Sequence, residues 1–253
     1  MKISIGKLHH IGQRQSQQDS FGIVTLSDDN ILCVVADGMG GLSDGDKVSQ
    51  CIVYTMLSQA KNILREDVPA PLYQLAGLAN AAVNMDSEIT AQSGSTLLAV
   101  WQKQNRFQWI AVGDSRIYLY RAGSLIQMNS EHIYQKELLL SAVNGEISYE
   151  EAWADTQAGC LVSYVGMGRL RYIDGSLHDV TLEPGDRILL MSDGVFNTLS
   201  EKEIAEILMR AGEVERAAKV MQEEILNVLK FFIDTADLDE IAEAKSWGCL
   251  AGV

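Results

Sequence analysis

Three aspartates close apolar, strand-like runs in this chain: Val34-Val35-Ala36-Asp37-Gly38, Ile110-Ala111-Val112-Gly113-Asp114 and Leu189-Leu190-Met191-Ser192-Asp193-Gly194. A buried strand that ends this way carries a carboxylate to the rim of a sheet. A neighbouring glycine lets the backbone turn there and present its carbonyl oxygen, as Gly38 does after Asp37. Three such rims meeting at one corner make an oxygen-rich pocket, and oxygen donors without histidine or cysteine suit hard dications such as Mg2+ or Mn2+ rather than zinc. Each motif also has a plainer reading. Asp-Gly is a common turn pair, and Gly113-Asp114-Ser115-Arg116 suits a tight turn with a surface Asp-Arg pair of little energetic worth. Glycines at 38, 40 and 41 favour the site, because their backbone entropy is a cost that a simple turn does not require.

Arg14 and Asp19 lie in the polar segment 12–19, just before a strand-like run. A solvated loop accounts for them, but an arginine beside a dication cluster also offers a planar fork that grips phosphate oxygens in pairs. His9, His10, His132 and His178 are too dispersed to form a ligand set. His132, in Ser130-Glu131-His132, reads as a helix cap, a group supporting the site, or an acid-base residue.

The elements that must position these residues follow from periodicity and breakers. Residues 3–5, 20–26 and 31–36 read as strands, the last two joined by the Ser27-Asp28-Asp29-Asn30 turn. Ser43 and Asp44 can cap a helix to about residue 65, Pro69 and Pro71 break it, and a second helix covers 72–89. Strands at 95–101, 107–112, 117–120 and 124–128 suggest one antiparallel meander. Short helices at 131–140 and 149–154 lie in an irregular middle region, read as a mobile flap. A strand-like run at 177–182 and a strand at 188–191 follow, then a helix opened by Ser200 with Glu203 at the capping-box position, and a long helix over 214–231. Hairpin-like runs of strands favour α+β layers over a doubly wound sheet.

The length of 253 residues suits one domain, 1–253, and 47% hydrophobic with 21% charged residues suits a globular one. A net charge of −14 argues against nucleic acid and anionic membranes as partners. Cys33, Cys51, Cys160 and Cys249 form no CxxC pair, so reduced structural thiols are expected. No run reaches the ~18 apolar residues of a membrane helix. The N-terminus lacks the apolar run of a signal peptide. Together these give a cytoplasmic expectation.

In order along the chain stand Arg14 with Asp19, Val-Ala-Asp37-Gly38-Met-Gly-Gly, Gly94-Ser95-Thr96-Leu97, Val-Gly-Asp114-Ser-Arg-Ile-Tyr, Glu131-His132 and Leu-Met-Ser-Asp193-Gly-Val-Phe. This series resembles the metal-dependent Ser/Thr protein phosphatases of the type 2C class in their bacterial form, over about residues 5–210. The resemblance implies an αββα sandwich of two mostly antiparallel sheets flanked by helices, with two or three Mn2+ or Mg2+ ions. By the same resemblance, Asp37 bridges two ions, the Gly38 carbonyl and Asp193 are ligands, Asp114 serves a third, looser ion, and Asp19 holds metal-bound water. Arg14 and Asp37 are the expected catalytic residues, Arg14 gripping phosphate, and residues about 139–175 correspond to the flap that shapes substrate access. The expected activity is hydrolysis of phosphoserine and phosphothreonine by a metal-activated water. The expected partners are a phosphorylated protein substrate and a cognate Ser/Thr kinase, with the chain a monomer.

One departure stands out. The family carries Asp-Asn before a last apolar strand. The window at 232–241 instead contains Asp234, Asp237 and Asp239 without Asp-Asn, and the tail at 232–253 reads as helical. The alternative function is therefore a non-catalytic, phosphatase-like binding module with an incomplete metal site.

Overall fold

A computed structural model of the protein describes residues 3–11, 16–39, 44–90, 93–235 and 250–252. In chain order it begins with strands β1 (Leu8–His10), β2 (Asp19–Ser27) and β3 (Asn30–Met39), followed by helices α1 (Gly45–Ile63) and α2 (Pro71–Met85). Strands β4 (Gly94–Ser95), β5 (Leu97–Lys103), β6 (Arg106–Val112), β7 (Arg116–Arg121) and β8 (Ser124–Gln127) come next, then α3 (Tyr134–Val143) and α4 (Tyr149–Ala154). The chain continues through β9 (Asp174–Gly175), β10 (Val180–Thr181) and β11 (Arg187–Met191) to α5 (Asp193–Phe196), α6 (Glu201–Ala211) and α7 (Val214–Thr235), and ends on β12 (Leu250–Gly252).

The larger sheet runs β10-β6-β5-β3-β2, with β4 on β3 and β9 on β6; a second sheet runs β11-β7-β8; β1 pairs with β12. All these pairings are antiparallel. Side-chain alternation along the strands sorts the core into layers. Leu32, Val34 and Ala36 of β3, with Leu97, Ala99, Trp101, Ile110 and Val112, pack against α1 and α2 through Val48, Ile52, Met56, Leu72, Leu75 and Ala79. The alternate residues Val35, Leu98, Val100, Phe107, Trp109 and Ala111 face the second sheet, meeting Ile117 and Leu190. On the far side of that sheet Tyr118, Tyr120, Leu189 and Met191 pack under Ile204, Ile207, Leu208 and Met221 of α6 and α7. Helices, two sheets and helices thus stack in four layers, the expected αββα sandwich. Full burial of each large aliphatic side chain contributes about 1.5–3 kcal/mol.

Several expectations are corrected. The first strand is Leu8–His10 rather than 3–5, because only there does the chain find a partner, β12. The single meander is split: β5 and β6 lie in the larger sheet and β7 and β8 in the smaller. The chain changes sheets at Gly113, whose φ of 99° is open to glycine. The strand-like run at 177–182 is reduced to Val180–Thr181. Asp44 occupies the N-cap of α1 without a capping bond; its carboxylate accepts the Thr90 amide at 3.1 Å, and Ser43 lies outside the described residues. The capping box at Ser200 and Glu203 is present in full.

The tail is not wholly helical. Leu250–Gly252 is extended and pairs with β1, so the last strand begins about ten residues beyond the window at 232–241. Asp234 falls in the last turn of α7, while Asp237 and Asp239 lie outside the described residues. Among the described residues no helix is long and apolar enough to cross a membrane.

Candidate metal centre

Asp37 does not sit in a turn after its strand but inside it, because β3 runs on to Met39. At Val35 the strand leaves β5 and its last residues pair with β4, Gly38 opposite Ser95 and Met39 opposite Gly94. Continuing the alternation from Val35, Asp37 belongs to the face turned toward the second sheet. Asp19 is its direct cross-strand partner in the β2–β3 register. From the second sheet, Ser192 at the end of β11 donates its Oγ proton to Asp19 Oδ2 at 2.9 Å, which draws the start of α5, with Asp193, to the same corner.

Electrostatics shows that four carboxylates share this corner. The Asp37 carboxyl is pushed well above its ordinary range, first by burial and then by the charges of Asp19, Asp193 and Asp114, with a side-chain hydrogen bond to Asp19. Asp114, in the loop between β6 and β7, is raised from 3.8 to about 6 by burial, next by Asp193, and further by Glu131. Crowded acids in a poorly solvated rim repel one another, and a hard dication is the group that would relieve them. The donors are all oxygens: four carboxylates and the Gly38 carbonyl. His132 is committed elsewhere through Nδ1. The residues therefore fit Mg2+ or Mn2+ and do not fit zinc. Among the described residues, no three acidic, histidine or cysteine side chains already close into a finished ligand cage.

Short hydroxyls fix the backbone that carries Asp37. Thr96 Oγ1 accepts the Asp37 amide at 3.0 Å, the Thr96 amide donates to the Asp37 carbonyl at 2.9 Å, and Ser95 Oγ donates to that same carbonyl at 2.9 Å. Thr96 Oγ1 and Ser115 Oγ lie 2.8 Å apart, so the Asp37 strand and the Asp114 loop share one hydrogen-bonded bridge. At Gly38 a Cβ would fall 2.1 Å from the Gly45 carbonyl oxygen and 2.6 Å from that of Gln18, which leaves room for glycine alone. The Gly38 amide donates to the Gln18 carbonyl at 3.1 Å, tying β3 to the segment before Asp19.

Of the residues singled out from sequence, Asp19, Asp37, Gly38, Asp114 and Asp193 thus come together. Arg14, Gly40 and Gly41 lie outside the described residues. Sequence reasoning did not give Ser192, Ser115 or Asn129 a role, nor Ser95 and Thr96 more than a place in a motif. Ser115 and Ser192 carry a readable signal, a short polar side chain next to a strand-end aspartate, whereas Ser95, Thr96 and Asn129 have no aspartate beside them. His9 also reaches the rim, donating from Nε2 to the Asp19 carbonyl at 3.2 Å.

The sequence pattern of protein phosphatase 2C matches residues 6–230. The chain belongs to the protein phosphatase 2C family. This phosphatase 2C chain is 30% identical over 215 residues to protein phosphatase PhpP of Streptococcus pneumoniae, with 82% of this chain and 84% of that protein covered. It is 29% identical over 214 residues to the serine/threonine phosphatase stp of Listeria monocytogenes, covering 82% and 83% respectively. Among solved structures, the catalytic domain of the serine/threonine protein phosphatase PstP in complex with two manganese ions superposes with a TM-score of 0.69 at 26% identity, covering 88% of this chain and 91% of that one.

Proposed function

We propose that this protein removes phosphate from phosphoserine and phosphothreonine in proteins by direct hydrolysis, with Asp37, Asp19, Asp193, Asp114 and the Gly38 carbonyl holding Mn2+ or Mg2+. The observation that carries this reading is the corner itself: Asp37 faces Asp19 across one sheet, and Ser192 brings Asp193 to them from the other. Bound dications supply a water of lowered pKa and shield the phosphate's charge. The chain's own part is to hold its carboxylates in place. Ser95 and Thr96 hold the Asp37 backbone from both sides, so the carboxylate needs little reorganisation when phosphate arrives. The resemblance alone assigns phosphate to Arg14. An arginine so placed would orient the non-bridging oxygens, and Arg14→Ala would raise KM more than it lowers kcat. Met39 stands immediately after Asp37-Gly38, where some relatives carry histidine, so that position supplies no proton to the leaving group.

The relatives named above support phosphoproteins as the substrate class, and the family resemblance extends this to a partnership with a Ser/Thr kinase. The direct test is hydrolysis of a phosphothreonine peptide with Mn2+, with and without chelator. Activity that persists in chelator rejects the metal-dependent mechanism. A second reading, a module that binds without hydrolysing, is favoured by one feature: Ser246-Trp247-Gly248-Cys249, ahead of β12, contains no carboxylate. Calorimetry with Mn2+ separates the two, since two sites support the enzyme and one or none supports the binder.

A further inference from the structure

The segment Asn129-Ser130-Glu131-His132 lies alongside the loop that carries Asp114 and holds it at almost every residue. His132 Nδ1 accepts the Gly113 amide at 3.1 Å, and the His132 amide donates to the Gly113 carbonyl at 2.8 Å. Asn129 Oδ1 accepts the Ile117 amide at 2.7 Å, and its Nδ2 donates to the Ser115 carbonyl at 3.0 Å. Glu131 pairs with the Arg116 guanidinium, which stacks 3.9 Å from the centre of the Phe196 ring, three residues past Asp193. Asn129 and His132 are both buried. Two buried side chains therefore do for this loop what a neighbouring strand would do, supplying partners for its amides and carbonyls.

The same histidine also faces the flap. The Val162 amide donates to the His132 carbonyl at 2.9 Å, Ile133 bridges Leu161, and the Tyr134 amide donates to the Cys160 carbonyl at 2.9 Å. His132 is thus bonded on one side to the residue before Asp114 and on the other to the region read as a flap. Because a backbone N–H only donates, Nδ1 is the unprotonated ring nitrogen and the ring proton resides on Nε2.

We infer that His132 is a positioning residue for Asp114: its Nδ1 sets the Gly113 peptide, and hence the direction of the carboxylate, while its carbonyl anchors the flap to the same point. The inference rests on the reading of Asp114 as a metal ligand. The loop needs an acceptor at this position rather than an ionisable ring. Asparagine, whose Oδ1 stands on the same atom of the side chain as Nδ1 of histidine, should therefore substitute for it, whereas leucine should not.

The test compares His132→Leu and His132→Asn with wild type and Asp114→Asn. Two measurements are made: exchange of the Gly113 amide in metal-free protein, and the Mn2+ concentration giving half-maximal hydrolysis of p-nitrophenyl phosphate. In His132→Leu the Gly113 amide should exchange about 5-fold faster, and the Mn2+ requirement should rise about 3- to 10-fold with KM changed less than ~2-fold, for a buried hydrogen bond is worth about 1 kcal/mol, a factor of about five. His132→Asn should restore both. If leucine leaves both measurements at wild-type values, or asparagine does no better than leucine, the inference is overturned. His132→Gln, whose acceptor lies one bond farther out, takes the place of leucine should that variant not fold. A raised Mn2+ requirement in Asp114→Asn with none in His132→Leu rejects the positioning role alone. An unchanged requirement in Asp114→Asn rejects the ligand assignment of Asp114, and Gly113 exchange then judges His132 by itself.

Discussion

Asp114→Asn should stabilise the metal-free protein while impairing the loaded one, and the size of the effect follows from the corner's electrostatics. Burial and the neighbouring Asp193 raise the Asp114 carboxyl from 3.8 to about 6. The folded chain therefore holds that proton more tightly than the unfolded chain. Folding is favoured as pH falls, and the penalty for ionising Asp114 grows as pH rises past 3.8 and is complete above about 7. A shift of about two units at 1.36 kcal/mol each makes that penalty ~3 kcal/mol at pH 8. Asparagine keeps the shape and removes the charge. In protein stripped by chelator, Asp114→Asn should raise Tm at pH 8 by about 6–12 °C, at roughly 2–4 °C per kcal/mol for a chain of this size. At pH 5 the difference should shrink to about half, because the folded carboxyl is by then mostly protonated while the unfolded one is not. Saturating Mn2+ should narrow the gap at pH 8 by neutralising the wild-type cluster. Scanning calorimetry at the two pH values, with and without Mn2+, reads all of this. A variant no more stable than wild type at pH 8, or one whose advantage is the same at both pH values, refutes the claim that crowded carboxylates strain the metal-free fold.

Three further outcomes are expected. Gly38→Ala should destabilise by about 2–3 kcal/mol in urea unfolding and abolish Mn2+-dependent turnover, because its Cβ meets backbone oxygens at 2.1 and 2.6 Å that cannot swing away; near-wild-type stability would show that the β3 end can move. Ser200→Ala removes the hydroxyl half of the α6 capping box, leaving the residue-200 amide on the Glu203 carboxylate, and should cost about 1 kcal/mol without altering metal-dependent activity; a loss of activity greater than the loss of folded protein would tie α6 to the site. In a Cys249→Ser background at pH 8, the exposed Cys160 should react promptly with a disulfide reagent. Cys33 should resist, because burial pushes its thiol up to about 12 and leaves about one molecule in ten thousand as thiolate. Equal rates at the two cysteines would contradict the packing of β3 against the second sheet.

Much of this protein was legible in the order of its residues. The apolar runs before Asp37, Asp114 and Asp193 named the strands and the carboxylates, since a strand long enough to be buried must release its charged residue at the rim. Alternation in β3 and β5 fixed which residues could share a face, and Ser200 with Glu203 announced the start of α6 because a capping box is satisfied within four residues of chain. These are local constraints, and local constraints can be read locally.

What tertiary structure decided is everything that needs two distant segments at once. The run of strands after residue 94 looked like one meander, yet Gly113 sends the chain to the other sheet, and that crossing is what places Asp114 beside Asp193. The roles of Thr96, Ser192, Asn129 and His132 could not be seen in sequence either. Each satisfies a backbone amide, a carbonyl or a carboxylate that lies between 12 and 173 residues away along the chain. Sequence thus fixed the kind of donor atom available, because chemistry belongs to the residue. Only the packing of two sheets against each other brought those donors within reach of one ion, because distance belongs to the fold.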